Sequence, residues 1–170
     1  LTEDGFQNIT ETNFSIARNL HLPARDTIVS ILGLSLTYSF DGGQTDQNSR
    51  MSNTARFGDV ENGVITADGT IYVFGQGATV AYTRDYGTNW QFPASAYQRT
   101  DLSDVALTSA GSMYACGEFG RLLYSENNGR NWTDRTNDEL EDQGLSKIAV
   151  LGETDLLLYA ASGDLIRWTD

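Results

Sequence analysis

The chain has 170 residues, of which 39% are hydrophobic and 20% charged, a composition typical of a folded globular domain and not of a disordered segment. Its formal net charge is −12, from 23 acidic and 11 basic side chains. Lysine and arginine bind phosphate backbones and anionic membranes, so this balance argues against nucleic acid and against a membrane surface as the main partner. Seventeen glycines and 11% aromatic residues predict many short strands joined by tight turns.

Cysteine count and hydropathy exclude further classes of protein. The single cysteine, Cys116, excludes a fold held by intrachain disulfides, and we expect it to be a small buried residue of a strand. The longest apolar stretch, residues 28–36, is interrupted by serine and glycine and is too short for membrane insertion. No signal peptide is evident and the chain begins at Leu1, which we interpret as a processed chain or an excised segment.

In chain order, apolar runs separated by glycine turns predict four repeats of short strands, labelled A to D within a repeat. The predicted strands are residues 14–18, 27–32 and 34–39 in the first repeat; 59–66, 70–74, 78–83 and 89–92 in the second; 104–108, 112–116, 121–125 and 131–134 in the third; and 147–151, 156–160 and 165–168 in the fourth. Nearly continuous apolar runs, such as residues 156–160, are typical of strands covered on both faces. A single domain over residues 1–170 is expected, with repeats at approximately 14–50, 57–94, 103–136 and 146–170.

A turn motif recurs after strand C of the first three repeats. Its copies begin at Tyr38, Tyr82 and Tyr124, which lie 44 and 42 residues apart. The pattern is aromatic, Ser or Thr, any residue, Asp or Asn, any residue, Gly. In such a turn the Asp or Asn accepts backbone N–H bonds from its own loop, and the glycine supplies a positive φ. A structural role is therefore predicted for Ser39, Asp41, Gly43, Thr83, Asp85, Gly87, Trp90, Ser125, Asn127, Gly129 and Trp132.

This motif resembles the Asp-box, or BNR, repeat of sialidase-like β-propellers and photosystem assembly factors. The resemblance covers the whole chain, because a degenerate copy opens it at residues 2–8 and a cut copy ends it at residues 168–170. It departs from the family pattern at Asn127, in place of Asp, and at Asp46, where the closing Trp is expected. The resemblance implies an all-β fold, a β-propeller of four Asp-box blades.

The order of the predicted strands leaves two arrangements open. The chain begins on a strand D and ends after a strand C, so residues 1–12 would act as a closing strand that completes the last blade of a four-bladed ring. The same order arises if the chain is a segment of a larger propeller, since propellers contain about four to eight blades. We favour the closed ring, because an open stack leaves sheet faces and edges unpaired.

Catalytic motifs are weak in this sequence. Sialidases share an arginine triad, an Arg-Ile-Pro signature and a Tyr–Glu nucleophile pair, and the chain contains no Arg-Ile-Pro. No catalytic residue of that family can be carried over. A glycosidase needs two carboxylates facing one bond, for which Asp59 and Asp104 at the starts of neighbouring strands A are the candidates. His21 stands alone in a polar loop, so we expect no metal and no cofactor.

Binding is expected on the face opposite the turn motifs, where the connections are longer. These connections are residues 47–57, 93–101 and 135–146, together with the turns between strands B and C. The candidate binding residues on this loop face are Arg56, Tyr97, Arg99, Glu118 and Phe119. Residues 138–142 form an acidic run that predicts a single helical turn or a solvated loop.

The sequence therefore predicts a non-catalytic module that presents its loop face to a protein or glycan partner. It also allows assembly with other copies or other subunits, as in a phage particle or tail. The alternative is a glycan-active hydrolase of the Asp-box propeller type. The single lysine, the Asn- and Thr-rich loops and the lack of disulfides are compatible with a phage or bacterial origin. An extracellular or virion-associated location is favoured over a cytoplasmic one.

Overall fold

The computed structural model describes residues 14, 19–51, 60–66, 68–76, 79–92, 101–127, 129 and 131–169. The described residues contain strands β1 to β14 and one 3-10 turn, Glu118–Gly120. In chain order the strands are Asn19–Ala24, Thr27–Leu32, Ser35–Ser39, Gln47–Arg50, Val60–Ile65, Ile71–Gly75, Thr79–Thr83, Leu102–Leu107, Met113–Gly117, Leu122–Ser125, Thr133–Asp134, Leu145–Val150, Asp155–Ala160 and Leu165–Thr169. The all-β fold predicted from the sequence is confirmed.

The strands form four antiparallel sheets in which spatial order follows chain order. Sheet 1 contains β1 to β4, sheet 2 contains β5 to β7, sheet 3 contains β8 to β11, and sheet 4 contains β12 to β14. Each consecutive pair is joined as an up-and-down hairpin or meander, the connection that short turns favour. Three of the innermost strands carry a bulge at the same place, between Val60 and Asn62, Leu102 and Asp104, and Leu145 and Lys147.

Two predicted elements of the first repeat are wrong. Strand A lies at Asn19–Ala24, so His21 belongs to a strand and not to a polar loop. Residues 15–18 of the predicted strand lie outside the described residues. Residues Gln47–Arg50 form the outermost strand β4, although they were predicted to start a connection. No apolar pattern marks β4, which is polar and exposed along most of its length. In β1 Leu20 and Leu22 alternate with polar or cyclic residues, but Pro23 is unusual inside a strand.

Each pair of consecutive sheets shares one apolar core, and we call each such contact a seam. The first seam joins Val29 and Ile31 of sheet 1 to Ile71 and Val73 of sheet 2. The second joins sheet 2 to sheet 3 around Tyr72, Phe74, Met113 and Leu123. The third joins sheet 3 to sheet 4 around Tyr114, Cys116, Leu156 and Leu158. Sheets that pack face to face in this way are the blades of a propeller.

The seams explain which strands are apolar on both faces. In β6 and β9 every residue is buried, because sheets 2 and 3 each have a neighbour on both sides. In β13 burial alternates, with Leu156, Leu158 and Ala160 buried and Tyr159 exposed. Among the described residues no apolar cluster joins sheet 4 to sheet 1, so a closed ring of four blades is not confirmed. Residues 1–12, the predicted closing strand, lie outside the described residues.

The seams predict where truncation of a leucine is costly. Leu156 is fully buried in the third seam, whereas Leu151 is 56% exposed in the turn of the same sheet. We expect Leu156→Ala to lower the free energy of unfolding by about 2–5 kcal/mol and Leu151→Ala to change it by less than about 0.5 kcal/mol. Urea denaturation followed by tryptophan fluorescence measures both. Equal effects for the two variants contradict the assignment of the third seam.

Candidate functional site

The three turn motifs have one common geometry, and we call them box turns. In each, the amide of the glycine donates to the hydroxyl of the Ser or Thr: Gly43 to Ser39, Gly87 to Thr83 and Gly129 to Ser125, all at 2.9 Å. The side-chain oxygen of the Asp or Asn accepts a backbone N–H four residues later, at 2.9 Å for Asp41, 2.8 Å for Asp85 and 2.8 Å for Asn127. All three glycines have positive φ, between 73° and 89°. Each polar group is thus used within its own turn.

The tryptophans after two of the box turns pack into seams. Trp90 contacts the core of the first seam, and Trp132 lies against Phe74 in the second, with ring centroids 6.2 Å apart. Each indole therefore fills the seam with the preceding sheet. Asp46, which stands at the corresponding position of the first box turn, is exposed.

Hydrogen bonds lower the pKa of the box carboxylates. The side chain and amide of Thr45 and the hydroxyl of Ser39 hold the pKa of Asp41 at about 2, below its ordinary value of 3.8. The amide and side chain of Asn89 lower the pKa of Asp85 in the same way. Both carboxylates are therefore stabilised as anions by local bonds, which is a structural arrangement and not one that prepares an acid for proton transfer.

Asp104, one of the two candidate acids, connects three sheets. Its carboxylate accepts hydrogen bonds from the side-chain amide of Asn62 in β5 and from the backbone N–H of Ile148 in β12, the latter at 3.2 Å. The Lys147 ammonium lies 3.9 Å from the same carboxylate, and Asp104 is only 8% exposed. These bonds hold strands of consecutive sheets together at the inner edge. Asp59, the other candidate acid, lies outside the described residues.

Two predicted binding residues, Glu118 and Phe119, lie in the 3-10 turn between β9 and β10, and both are exposed. Phe119 is 65% exposed and has a φ of 55° and a ψ of 35°. This left-handed conformation is unfavourable for a bulky residue, at about 1–3 kcal/mol, and is retained mostly where a site requires it. The sequence places Gly77 at the corresponding position of the second repeat. Phe119 is therefore an exposed phenylalanine in a backbone conformation that glycine adopts more readily.

This turn is clamped against the acidic connection between β11 and β12. The amide of Gly120 donates to the carbonyl of Gln143, and a side chain at Gly120 would collide with the carbonyl of Leu140, which is buried. The amide of Glu141 donates to the carbonyl of Asn137, so the acidic run makes one helix-like turn. The turn directs Asp138, Glu139, Glu141 and Asp142 to solvent. We call Glu118, Phe119 and these four acids the loop-face patch.

The other three predicted binding residues, Arg56, Tyr97 and Arg99, lie outside the described residues. A cleft of about 520 Å³ lies at the opposite end of the first seam, and no sequence pattern predicted it. His21, Asp68 and Tyr86 line this cleft, and Nε2 of His21 is buried there without a hydrogen-bond partner. Burial lowers the pKa of His21, so its imidazole is favoured in the neutral form. Only a strand at Asn19–Ala24, which the pattern did not predict, brings His21 to this place.

Other site classes find no support within the described ranges. No group of three or more His, Cys, Asp or Glu side chains in those ranges is arranged to hold a metal ion. Cys116 is buried in the third seam, and burial raises the pKa of its thiol to about 12, so it is a poor nucleophile. No helix in the described part of the chain is long and apolar enough to cross a bilayer.

Four antiparallel sheets packed face to face through repeated seams define a β-propeller fold. Residues 47–170 match the family model described as DUF6242 beta propeller domain, so the chain belongs to that family. No curated protein sequence matches the chain.

Solved propellers are similar in fold. YCF48 bound to D1 peptide aligns with a TM-score of 0.64 at 20% identity over 85% of this chain and 46% of that chain. YCF48 from Cyanidioschyzon merolae aligns with a TM-score of 0.67 at 17% identity over 94% of this chain and 52% of that chain. The GH74 xyloglucanase of Xanthomonas campestris aligns with a TM-score of 0.61 at 16% identity over 84% and 27%. The chain thus spans about half of the first two structures, and at these identities the likeness shows the fold alone.

The clamp beneath Phe119 predicts a position-specific glycine effect. A Cβ at Gly120 would lie 1.7 Å from the carbonyl oxygen of Leu140, whereas a Cβ at Gly111 would meet open space; both glycines have positive φ. We expect Gly111→Ala to cost about 1 kcal/mol from the backbone conformation alone, and Gly120→Ala to cost at least twice as much, about 2 kcal/mol or more. Chemical denaturation measures both. If the two variants lose equal stability, the clamp is wrongly described.

The box turn of Asp41 predicts an acid-dependent stability. Because its folded pKa of about 2 lies below its ordinary value of 3.8, its contribution is present above about pH 4 and is lost as the pH falls toward 2. Asp41→Asn is expected to flatten the stability profile over this interval, since Asn127 makes the corresponding bonds without a charge. Carboxyl NMR titration and thermal unfolding between pH 2 and pH 5 measure the effect. A carboxyl that titrates at its ordinary value contradicts it.

Proposed function

We propose that the chain is a non-catalytic protein-binding module whose loop-face patch takes a basic peptide segment carrying an apolar anchor. The observation that supports this function is the exposed, left-handed Phe119 next to five exposed carboxylates. Aromatic side chains are enriched at protein interfaces, where a polar rim surrounds the apolar centre. The carboxylates attract lysine and arginine, while the phenyl ring offers an apolar surface to a neighbouring side chain.

Arg121, which directly follows the 3-10 turn, is engaged with a carboxylate outside the patch. Arg121 forms an ion pair with Asp134 on the adjacent strand, so it does not compensate the acidic turn. The five exposed carboxylates of the patch contribute a negative field, within a chain whose net charge is −12. A polycationic segment matches this field better than a neutral glycan does.

The comparisons agree with a binding role without deciding it. One solved propeller of similar fold is described as bound to a peptide, and another is a xyloglucanase. A non-catalytic role is favoured here because Asp104 is held by bonds to Asn62 and Ile148. The hydrolase alternative and a role in a phage particle or tail stay predictions, and no feature of the described residues favours them.

A peptide array tests the proposal. Peptides of about twelve residues with several Lys or Arg around one Leu or Phe are compared with acidic counterparts of the same length. We expect the basic set to bind, and fluorescence anisotropy to show weaker binding as ionic strength rises from about 0.05 to 0.5 M, because salt screens the carboxylates. A neutral glycan bound at this patch, or no binding of the basic set, contradicts the proposal.

Two variants of Phe119 separate binding from stability. Phe119→Gly is expected to weaken peptide binding at least about tenfold while leaving the free energy of unfolding equal or raising it by up to about 1 kcal/mol, since glycine accepts the positive φ. The control is Phe40→Ala, because Phe40 is 49% exposed in the first box turn at the opposite end of the sheets. If peptide binding weakens with Phe40→Ala and not with Phe119→Gly, the site lies on the face of the box turns and the proposal is contradicted.

A further inference from the structure

The cleft at the box-turn end of the first seam lies between sheet 1 and sheet 2. Its volume of about 520 Å³ is within the range of pockets that hold small molecules. Sheet 1 contributes His21, Leu22 and Pro23 of β1, and sheet 2 contributes Ile65 and the turn that follows it, with Asp68. The loop-face patch lies at the other end of the sheets, so the two surfaces are separate.

A bulge in β1 accompanies the apolar wall of this cleft. The pairing of β1 with β2 is regular from Asn19 to His21 and shifts its register before Ala24. Leu22 lies in this irregular stretch, lines the cleft, and is 66% exposed. Bulges redirect side chains and are frequent beside functional sites. The bulge therefore leaves a leucine side chain in the wall of the cleft, uncovered by the core.

Tyr86 lines the cleft from the second box turn. Its φ is 50°, and the corresponding residue of the first box turn is Gly42, with a φ of 71°. The turn itself does not require an aromatic residue there, and left-handed backbone at a bulky residue is concentrated at functional sites. Tyr38 and Phe40 hold the ring of Tyr86, with centroids 5.0 Å and 4.7 Å away. Tyr86 is thus a fixed aromatic wall of the cleft.

Two polar groups of the cleft have hydrogen-bonding capacity left over. Thr66 and Thr70 both donate to Oδ1 of Asp68, an exposed carboxylate whose two oxygens offer about four accepting positions. Nε2 of His21 is buried without a hydrogen-bond partner. A neutral imidazole nitrogen either donates or accepts, and a hydroxyl group satisfies it in both cases. Hydroxyl groups therefore match both side chains.

The charges around the cleft favour a neutral ligand. Local hydrogen bonds lower the pKa of Asp68 and burial lowers the pKa of His21, so at neutral pH the first is an anion and the second is uncharged. The described residues that line the cleft include no lysine or arginine, which disfavours an anion. Arg84 acts on Asp68 from nearby and offsets its charge, which disfavours a cation.

We propose that this cleft binds a neutral sugar residue. A sugar ring combines hydroxyl groups, which here bond to Asp68 and His21, with an apolar C–H surface, which packs against Leu22 and the ring of Tyr86. The hydroxyl that reaches His21 satisfies an otherwise unpaired buried atom, and such an atom is costly when it is left alone. Sugar binding in this cleft does not depend on peptide binding at the loop-face patch, and either can fail without the other.

Proton NMR of the imidazole tests the proposal, because His21 is the only histidine of the chain. Glucose, galactose, mannose, N-acetylglucosamine and their β-1,4-linked disaccharides are titrated to about 50 mM at a fixed pH of about 7.5, with glucosamine and glucuronate as charged counterparts. We expect at least one neutral sugar to shift the imidazole resonances saturably, and more strongly than either charged sugar does. No saturable shift with any neutral sugar overturns the proposal, as does a stronger shift with a charged one.

Three variants locate the site. Leu22→Ala is expected to raise the dissociation constant of the bound sugar at least about fivefold, because it removes part of the apolar wall. The matched control is Leu20→Ala, a leucine of the same strand that is 44% exposed and does not line the cleft; it is expected to leave the constant unchanged.

Asp68→Asn keeps an oxygen for the bonds from Thr66 and Thr70 and replaces the other oxygen by a donor. We expect it to raise the dissociation constant at least about tenfold, because a bond to a charged acceptor is lost. Urea denaturation verifies that each variant is folded. Equal effects of the two leucine variants, or sugar binding unchanged in Asp68→Asn, overturn the assigned site.

Discussion

The fold depends on one repeated contact, the seam in which apolar side chains from consecutive sheets interleave. Hydrophobic burial is the main favourable term in folding. In this fold a three- or four-stranded sheet buries apolar side chains on both faces when it packs between two other sheets. Sheets 2 and 3 meet this condition, and their central strands β6 and β9 are buried at every residue. Sheet 4 meets it on one side only, so burial along β13 alternates.

Polar contacts at the inner edge fix how neighbouring sheets are rotated relative to one another. Asn62, Asp104 and Lys147 occupy the same register position, immediately after the bulge of the innermost strand. A bulge redirects the following side chain, and here it turns Asp104 toward the backbone of the next sheet. A buried carboxylate that lost these donors would be costly, so the bonds select one rotation between neighbouring sheets. Packing alone tolerates a range of rotations.

Local chemistry made part of this fold predictable. The box turns are specified by residues that bond within a few positions of one another, as Thr83, Asp85 and Gly87 do, so a single sequence is enough to recognise them. The B and C strands followed because glycine turns bound their apolar runs. The edge elements did not follow: β4 is a polar strand held by its pairing with β3, and β1 contains Pro23 and His21. Their assignment depends on partners that the local pattern does not reveal.

The candidate site, like the fold, was predictable from the sequence only where its features depend on local residues. Glu118 and Phe119 were accessible to sequence reasoning because a turn between strands on the loop face is a place where binding residues occur. The left-handed backbone of Phe119 and its clamp were not, since they depend on Gly120 meeting the carbonyl of Leu140 from the next connection. Stability and the proposed function make opposite demands on position 119: glycine suits the left-handed backbone, and phenylalanine suits the proposed peptide partner. The chain carries phenylalanine at this position, which is why we propose the loop-face patch as the binding site and not the box turns, whose polar groups bond within their own loops.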